Sequence, residues 1–375
     1  MRPHRVLIAG GGTGGHLVPA LNIAAGLRRA EPDVSLLLVG ARRGLEAEVL
    51  PGAGLPYRLL PMQPLYRSRP WRNVRLLYTA PAVLGGLASI FRSFDPHAVV
   101  GTGGYASGPA LALGVASGRF TALQEQNADP GLVTRWMAGR VRQLHLGFPE
   151  ARRALRCGPR TAVHEFGNPV NVVPAPDPLP DLPAPPRRVI AVIGGSQGAH
   201  GLNELLLRDL ESTTEWPGEA FLLWIAGPSH RERVAERVAA TLFAPRIRVV
   251  PFVPALASHL ARLTLAISRA GAMLCSELAA AGVPAIFVPF PGAAAGHQSR
   301  NAKALEAAGA AVRIEEATVP SGALWDRVLG LLRNEDALER MRAAMRARGR
   351  PDAADRIAVE LLAGLEPGDD GRGDG

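Results

Sequence analysis

At 375 residues, with 47% hydrophobic and 20% charged side chains, the chain has length for two ordinary domains and too much apolar content for a disordered protein. Its formal charge of +9 is lopsided: residues 1–166 carry 20 arginines against nine acidic residues, and the remainder is slightly acidic. Such basic asymmetry points to nucleic acid, an anionic membrane surface or an anionic substrate. The two cysteines, Cys157 and Cys275, lack metal or redox spacing and fit a reduced, cytoplasmic compartment.

The first predicted element is a buried strand, Val6 to Ala9, which breaks into Gly10, Gly11, Gly12, Thr13, Gly14 and Gly15 before His16 opens a helix. A glycine turn feeding a helix leaves backbone N–H groups aimed outward with the helix dipole behind them, a seat for a phosphate. Gly10, Gly12 and Gly15 also satisfy G-x-G-x-x-G, so a dinucleotide-binding turn is a rival. The next strand, Val34 to Val39, ends at Gly40 and is followed by Ala41-Arg42-Arg43, without the acid that NAD-binding folds use for the ribose. Arg42 and Arg43 suit a 2′-phosphate, which keeps NADP open. The basic N-terminus has too short an apolar run for a signal peptide.

Between Pro64 and Phe94, Arg67, Arg69, Arg72 and Arg75 alternate with Leu65, Tyr66, Trp71, Val74, Leu76, Leu77 and Tyr78. Arginines beside Trp, Tyr and Leu read as an interfacial segment on an anionic leaflet; the alternative is an amphipathic helix with one core face and solvated arginines. No RNA-recognition motif accompanies them, so nucleic acid is not expected. The apolar region Leu76 to Phe91 is interrupted by Pro81 and Gly85-Gly86, and is expected to fall short of a membrane span.

The strand-to-glycine device recurs twice, at Val100-Gly101-Thr102-Gly103-Gly104-Tyr105 and at Ile193-Gly194-Gly195-Ser196-Gln197-Gly198. One nicotinamide cofactor would not need three such loops. The polar run Gln124-Glu125-Gln126-Asn127 follows an apolar strand end, where open α/β sheets bind ligands, and Glu125 and Asn127 are candidate substrate contacts. Residues 167–187 are proline-dense and read as a linker between a first domain, 1–166, and a second, 188–350. In the second, strands are expected at Val189–Ile193, Phe221–Ile225, Ile247–Val250, Leu263–Ile267 and Ala285–Val288. Gly271-Ala272 makes another helix N-terminus free of bulk, with Glu277 in that helix placed to accept from a ribose diol. A last amphipathic helix, 351–365, is expected to pack back on the first domain, and 366–375 to be disordered.

Taken together these stretches resemble glycosyltransferase family 28, with GGGTGGHLVPAL at 10–21, GTGGYASGP at 101–109, EQNADPGL at 125–132 and GNPV at 167–170. GGSQGA at 194–199, SRAGAMLCSELAAAGVP at 268–284 and HQSRNA at 297–302 complete the set in family order. The resemblance implies an α/β fold of GT-B architecture, two Rossmann-like doubly wound domains with a cleft between them. It implies an inverting transfer of N-acetylglucosamine from UDP-N-acetylglucosamine (UDP-GlcNAc) to undecaprenyl-diphosphate-linked muramoyl-pentapeptide (lipid I). The work would be done at the cytoplasmic face of the inner membrane, docked peripherally through the N-terminal domain.

The same resemblance assigns Thr13, Gly14, Gly15, Asn127, Ser196 and Gln298 to the sugar nucleotide, and a backbone contact to uracil at Val253. Ala272, Met273, Leu274, Cys275, Ser276 and Glu277 would hold diphosphate and ribose. His16 and Gly103, Gly104 and Tyr105 would face the acceptor diphosphate. Three positions depart from the family: Asn171 stands where a donor-contacting Arg is usual, Gly296 where Asp is usual, and Gln124 where His is common. Arg269 or Arg300 is a candidate for the missing cation. Direct displacement needs a base for the acceptor hydroxyl; His16 is one candidate, or it only binds the diphosphate, and Glu125 is the other. No cofactor and no metal are expected. Another lipid acceptor, an NADP-dependent dehydrogenase and an inactive sugar-nucleotide-binding homologue are the alternatives.

Overall fold

Short runs of Val, Ile, Leu and Ala, too short for helices and apolar on both faces, become central strands of parallel sheets, and the stretches between them become the covering helices. The computed structural model describes residues 3–65, 70–174, 179, 188–195, 198–293 and 296–366, with backbone alone for Pro70 and Arg72. The chain divides into two units, one made of Met1–Val170 with Asp352–Gly375, the other of Asn171–Pro351.

In the first unit, strands β1 (Arg5–Ala9), β2 (Ser35–Ala41), β3 (Tyr57–Leu60), β4 (Ala98–Gly101), β5 (Phe120–Glu125), β6 (Gln143–Leu146) and β7 (Ala162–His164) form one parallel sheet. Their spatial order is β3-β2-β1-β4-β5-β6-β7. Val6, Leu7, Ile8 and Ala9 are all fully buried, and they alternate between two cores. Leu7 and Ala9 meet α3 (Leu76–Phe94) and α4 (Gly104–Ala116), whereas Val6 and Ile8 meet α1 (Gly14–Ala30) and the final helix α12 (Ala353–Ala363). This is the period-2 alternation of a strand covered on both sides.

α12 belongs to the first unit although it ends the chain. Ile357, Ala358 and Leu361 enter the core beside Leu17, Ile23 and Leu27 of α1. Gly26 lets the two helices touch, since a Cβ there would lie 2.6 Å from the Ala354 carbonyl oxygen. Arg29 pairs with Asp355 at 2.6 Å, and the Gln143 amide donates to the Glu360 carbonyl at 2.9 Å. The expected linker start at 167 needs correcting. Gly167 N–H donates to Leu146 O (3.1 Å), Asn22 Nδ2 donates to Pro169 O (2.7 Å), and Val170 is buried, so 167–170 are fabric of the first unit. Most of the proline-rich stretch, 175–178 and 180–187, and the tail 367–375 lie outside the described residues.

α3 overturns a second expectation. Pro81 and Gly85-Gly86 do not cut the apolar region short: the helical run 73–94 is 22 residues long and contains an 18-residue window of mean hydropathy 1.5, enough by length and composition to cross a membrane. Its packing shows a different use. Val83, Leu87, Ile90 and Phe91 form one stripe buried against the sheet. Val74, Leu77, Tyr78 and Leu84 lie outside that stripe, 55–78% exposed, with Trp71 (67%) just before them. Among the described residues, the stripe with Val83, Leu87, Ile90 and Phe91 is covered and these other apolar side chains are not.

The second unit repeats the pattern with β8 (Arg188–Ile193), β9 (Ala220–Ile225), β10 (Ile247–Val250), β11 (Leu265–Ser268), β12 (Ala285–Phe287) and β13 (Ala311–Arg313), in spatial order β10-β9-β8-β11-β12-β13 and all parallel. Its core holds the fully buried Trp224 and Trp325. Buried Asp209, in α6 (His200–Ser212), serves as the N-terminal clamp of α10 (Ala323–Arg333), accepting from the amides of Gly322 (2.7 Å), Leu324 (3.0 Å) and Trp325 (3.1 Å).

One buried group couples the first unit to pH. His145 on β6 is fully buried, its ring stacked 5.2 Å from His164, and burial, with the neighbouring His164, pulls its pKa down to about 3. The unfolded chain takes up this proton near the ordinary histidine value of about 6.5. Between the two values the unfolded state binds more protons, so stability is lost as pH falls from about 6.5 towards 3, at up to about 1.4 kcal/mol per pH unit. In urea unfolding of the first unit's transition between pH 7 and 5, His145→Phe is expected to lose this part of the acid dependence. An unchanged slope would place the acid sensitivity elsewhere.

Candidate active site

In an open parallel sheet ligands bind at the carboxyl ends of strands where the order reverses, because the two loops there diverge and leave a crevice. In the first unit that point lies between β1 and β4, and these are the strands that run into Gly10–Gly15 and Thr102–Gly104. α1 and α4 start immediately afterwards, with Thr13 and Gly103 at their N-caps and no side-chain cap hydrogen bond at either. Thr13 and Gly15 are exposed and Gly14 is half-buried, so the start of α1 is open to a ligand, although the His16 amide is bonded to Thr13 O at 3.1 Å. The two loops meet backbone to backbone. Gly104 has φ +70°, and a Cβ on it would lie 2.4 Å from Gly11 O and 2.9 Å from His16 Cδ2. Tyr105 donates its hydroxyl to the Arg43 carbonyl at 3.3 Å.

His16 stands between these loops with its tautomer set by its neighbours. Nδ1 lies 3.1 Å from Thr102 O and 3.0 Å from Gln126 Oε1. A backbone carbonyl can only accept, so Nδ1 carries the hydrogen and Nε2 presents a lone pair. Gln126 is oriented in turn: its amide nitrogen donates to Thr102 O (2.8 Å) and Gln124 O (3.2 Å), leaving its oxygen for His16. Gln124 donates to Asn168 Oδ1 at 2.8 Å, and Asn168 donates to Gln126 O at 2.9 Å. Gln124, Gln126 and Asn168 are all buried. Gln124, unusual for the family pattern, is thus a working member of the network under His16.

Glu125 ends β5 and is 3% exposed. Its Oε1 accepts from the Asn127 amide (2.9 Å) and side chain (3.2 Å), and Oε2 from Gly131 N (3.0 Å) and the Thr134 hydroxyl. That carboxylate shapes the 125–134 loop and places Asn127. The acid that a dinucleotide fold offers to a ribose has a counterpart here in Glu46, just after β2, but its carboxylate is turned inward onto the Gly12 amide.

In the second unit the switch point lies between β8 and β11. β11 leads to Gly271 and then α8 (Ala272–Ala281), whose first amides, at Ala272, Met273 and Leu274, have no carbonyl partner within the helix. The side chains of Ala272, Met273 and Cys275 are buried, with burial raising the Cys275 thiol, so these three residues offer a ligand main chain only. Leu274, Ser276 and Glu277 lie on the partly open side. Desolvation holds the Glu277 carboxyl above its usual range, with no compensating hydrogen bond to it among the described residues. Gln298, in the first turn of α9 (His297–Ala307), accepts from Phe290 N at 2.9 Å, which leaves its NH2 group for other partners. Val253 is buried in the loop after β10, and Asn171 is exposed at the start of the unit. Ser196 lies outside the described residues.

Arg269 is not the missing cation. It is buried, donating to Val288 O (3.0 Å) and Pro289 O (3.3 Å) and paired with Glu316, so its charge ties the loop after β12 to the one after β13. Arg300, the other candidate, is exposed on α9. Gly296 caps α9 in the left-handed region (φ +67°), a conformation that glycine adopts without strain, in place of a capping Asp. Among the described residues no group of three His, Cys, Asp or Glu side chains is placed to hold a metal ion.

Residues 6–145 match the glycosyltransferase family 28 N-terminal domain and residues 189–357 its C-terminal domain. The chain belongs to glycosyltransferase family 28. Among its family 28 relatives is the UDP-N-acetylglucosamine–N-acetylmuramyl-(pentapeptide) pyrophosphoryl-undecaprenol N-acetylglucosamine transferase of Moorella thermoacetica, 38% identical over 97% of this chain and 100% of that protein. The protein of the same name from Chlorobaculum parvum is 36% identical over 96% of this chain and 99% of its own. Among solved structures, Acinetobacter baumannii MurG superposes with TM-score 0.75 at 26% identity, covering 96% of this chain and 100% of that one. The glycosyltransferase of kitacinnamycin (TM-score 0.72, 17% identity) shares the fold. Each of the two units is a parallel α/β domain of the kind found in GT-B glycosyltransferases of family 28. Thr102, Gln126 and Asn168, which orient His16, lie inside the quoted motifs, but their roles depend on contacts between residues up to 110 positions apart.

Proposed function

We propose that this family 28 chain is an inverting glycosyltransferase that moves N-acetylglucosamine from UDP-GlcNAc to undecaprenyl-diphosphate-linked muramoyl-pentapeptide. The observation that carries it is the near-full-length likeness to relatives bearing that activity in their names. The second unit takes the donor. The open amides at the start of α8 and the 194–199 loop with Ser196 receive the diphosphate, the Val253 backbone meets uracil, and Gln298, Thr13, Gly14, Gly15 and Asn127 contact the sugar nucleotide. Asn171 takes the place of the usual Arg without its charge. The first unit takes the acceptor, its diphosphate at Gly103, Gly104 and Tyr105.

In the reaction the acceptor hydroxyl attacks the anomeric carbon, the bond from that carbon to the UDP oxygen breaks, and the electron pair leaves with UDP, stabilised by the α8 amides. His16 Nε2 takes the hydroxyl proton; its fixed tautomer supports this role over that of an anion donor. Glu125, committed to its own loop, is a positioning residue. Steady-state UDP release with a water-soluble short-chain lipid I analogue tests the whole reading. His16→Ala is expected to lower kcat by about 10²–10⁴-fold with donor KM little changed. A rise in acceptor KM alone would make His16 a binding residue, and absence of acceptor-dependent UDP release by the wild type would refute the activity.

Glu277 accepts from the ribose hydroxyls in this reading, which gives its desolvated carboxylate the partners it lacks. Losing one charge-assisted bond of about 1.5–3 kcal/mol should raise the UDP dissociation constant about tenfold or more in Glu277→Ala. Because its carboxyl pKa is raised, wild-type affinity should fall on the acid side as the group protonates, and the variant should lose that dependence. Calorimetry that finds equal affinities in both proteins would remove Glu277 from the site.

The acceptor's polyprenyl tail stays in the bilayer, so the first unit must reach an anionic leaflet at the cytoplasmic face. The uncovered apolar stripe of α3 with Trp71 supports this, together with the arginine excess of the first half. Arg75 is exposed beside the stripe; Tyr66, Arg67, Arg69 and the Arg72 side chain lie outside what is described. Trp71→Ser with Leu77→Ser is expected to weaken sedimentation with phosphatidylglycerol vesicles severalfold at high salt, while turnover of the soluble acceptor persists. Equal sedimentation of both proteins would move docking to another surface.

A further inference from the structure

We infer that Glu46 is a positioning residue for the acceptor side of this reaction, holding the first glycine loop in register with His16; the inference rests on the reading above. Glu46 is the second residue of α2 (Leu45–Val49) and is fully buried. Its Oε1 accepts from Gly12 N at 2.7 Å and from Ala41 N at 3.2 Å, so a single oxygen ties the loop after β1 to the end of β2.

Two glycines keep the space for this carboxylate. A Cβ on Gly11 would lie 1.8 Å from Oε1, and one on Gly44 would lie 2.6 Å from Oε2. The opposite side of the same loop meets the second glycine loop, where Gly104 abuts Gly11 O and the His16 ring. Tyr105 ties that second loop to Arg43, three residues before Glu46. The loops after β1, β2 and β4 are therefore joined around one acid.

The second oxygen, Oε2, is buried and has no hydrogen-bond partner among the described residues. A buried carboxylate with an oxygen left unpaired is a poor device for stability, and an apolar side chain of similar size would serve the fold better. What the carboxylate does that an apolar group cannot is to take up the Gly12 N–H. With that amide drawn inward, the first loop is held where Gly11 O packs against Gly104 and the His16 ring, at the edge of the acceptor loop. Glu46 thus fixes the first glycine loop against the one that faces the acceptor diphosphate.

The test compares three substitutions in steady-state kinetics with the soluble acceptor and in amide hydrogen exchange. Glu46→Gln keeps an oxygen at the same reach and is expected to stay within about threefold of wild type in acceptor kcat/KM. Glu46→Asp keeps the charge but is shorter by one carbon–carbon bond, about 1.5 Å. It and Glu46→Ala are expected to lose tenfold or more in acceptor kcat/KM, with calorimetric affinity for UDP, which the second unit holds in this reading, within twofold. Exchange within 10–15 should quicken in Glu46→Asp and not in Glu46→Gln.

Wild-type behaviour of Glu46→Asp, or a Glu46→Gln as damaged as Glu46→Asp, would overturn the inference, as would a parallel loss of UDP affinity. Should Glu46→Ala fail to fold, the Asp and Gln pair decides. A wild type that does not turn over refutes the proposed activity, and the exchange comparison still reports whether Glu46 holds the loop.

Discussion

Backbone N–H groups at the start of a helix need partners, and at a topological switch point two helices begin side by side with loops that lead away from each other. The rest of this structure follows from how those amides are shared out. In the first unit some are taken by buried acids, Gly12 by Glu46 and Asn127 and Gly131 by Glu125. Others, in the first turns of α1 and α4, have no side-chain cap. In the second unit the same division leaves the first amides of α8 open, while Asp209 clamps the start of α10 well away from the strand ends. An anion site here is what remains after the protein has satisfied its own donors.

The acids and cations that look most reactive in isolation turn out to be structural. Glu125 is surrounded by donors from its own loop, and Arg269 is spent on two carbonyls and Glu316. The groups left with unmet capacity are quieter. His16 has one ring nitrogen fixed by a carbonyl and the other holding a lone pair, and Glu277 is desolvated without compensation. Unmet hydrogen-bonding capacity at a strand's carboxyl end is a better guide to chemistry than charge alone.

α3 shows the same economy at a larger scale. One apolar stripe packs against the sheet and, among the described residues, other apolar side chains are left bare, so a single helix serves both the core and an outward apolar surface. A water-soluble enzyme gains nothing from Trp71, Leu77 and Tyr78 in solvent, where burying each such side chain is worth roughly 1.5–3 kcal/mol. In the function proposed above, the bare stripe is the surface that would meet the bilayer holding a lipid-linked acceptor.

The sequence alone determined the α/β class, the strands β1, β2, β4 and β8 to β12 to within a residue or two, and the glycine loops that mark both switch points. These are local signals: strand-length apolar runs followed by glycines cannot easily be anything else. The edge strands β3, β7 and β13 and the inner strand β6 escaped because runs of three or four mixed residues carry no period of their own, and pairing with a neighbour makes them strands. α3 was misjudged because Pro81 and two glycines lower helix propensity by amounts that packing against a sheet outweighs. The site divides in the same way. His16, Glu125 and Glu277 are legible as residue types in suggestive places, but which nitrogen of His16 is open depends on Thr102 and Gln126, 86 and 110 residues away. Glu46 bore no signal at all, since an acid in a five-residue helix reads as solvated until the fold turns it inward beneath glycine. Only tertiary structure brings a carboxylate and an amide 34 residues apart to 2.7 Å, because that distance is set by the register of three parallel strands rather than by anything local to either residue.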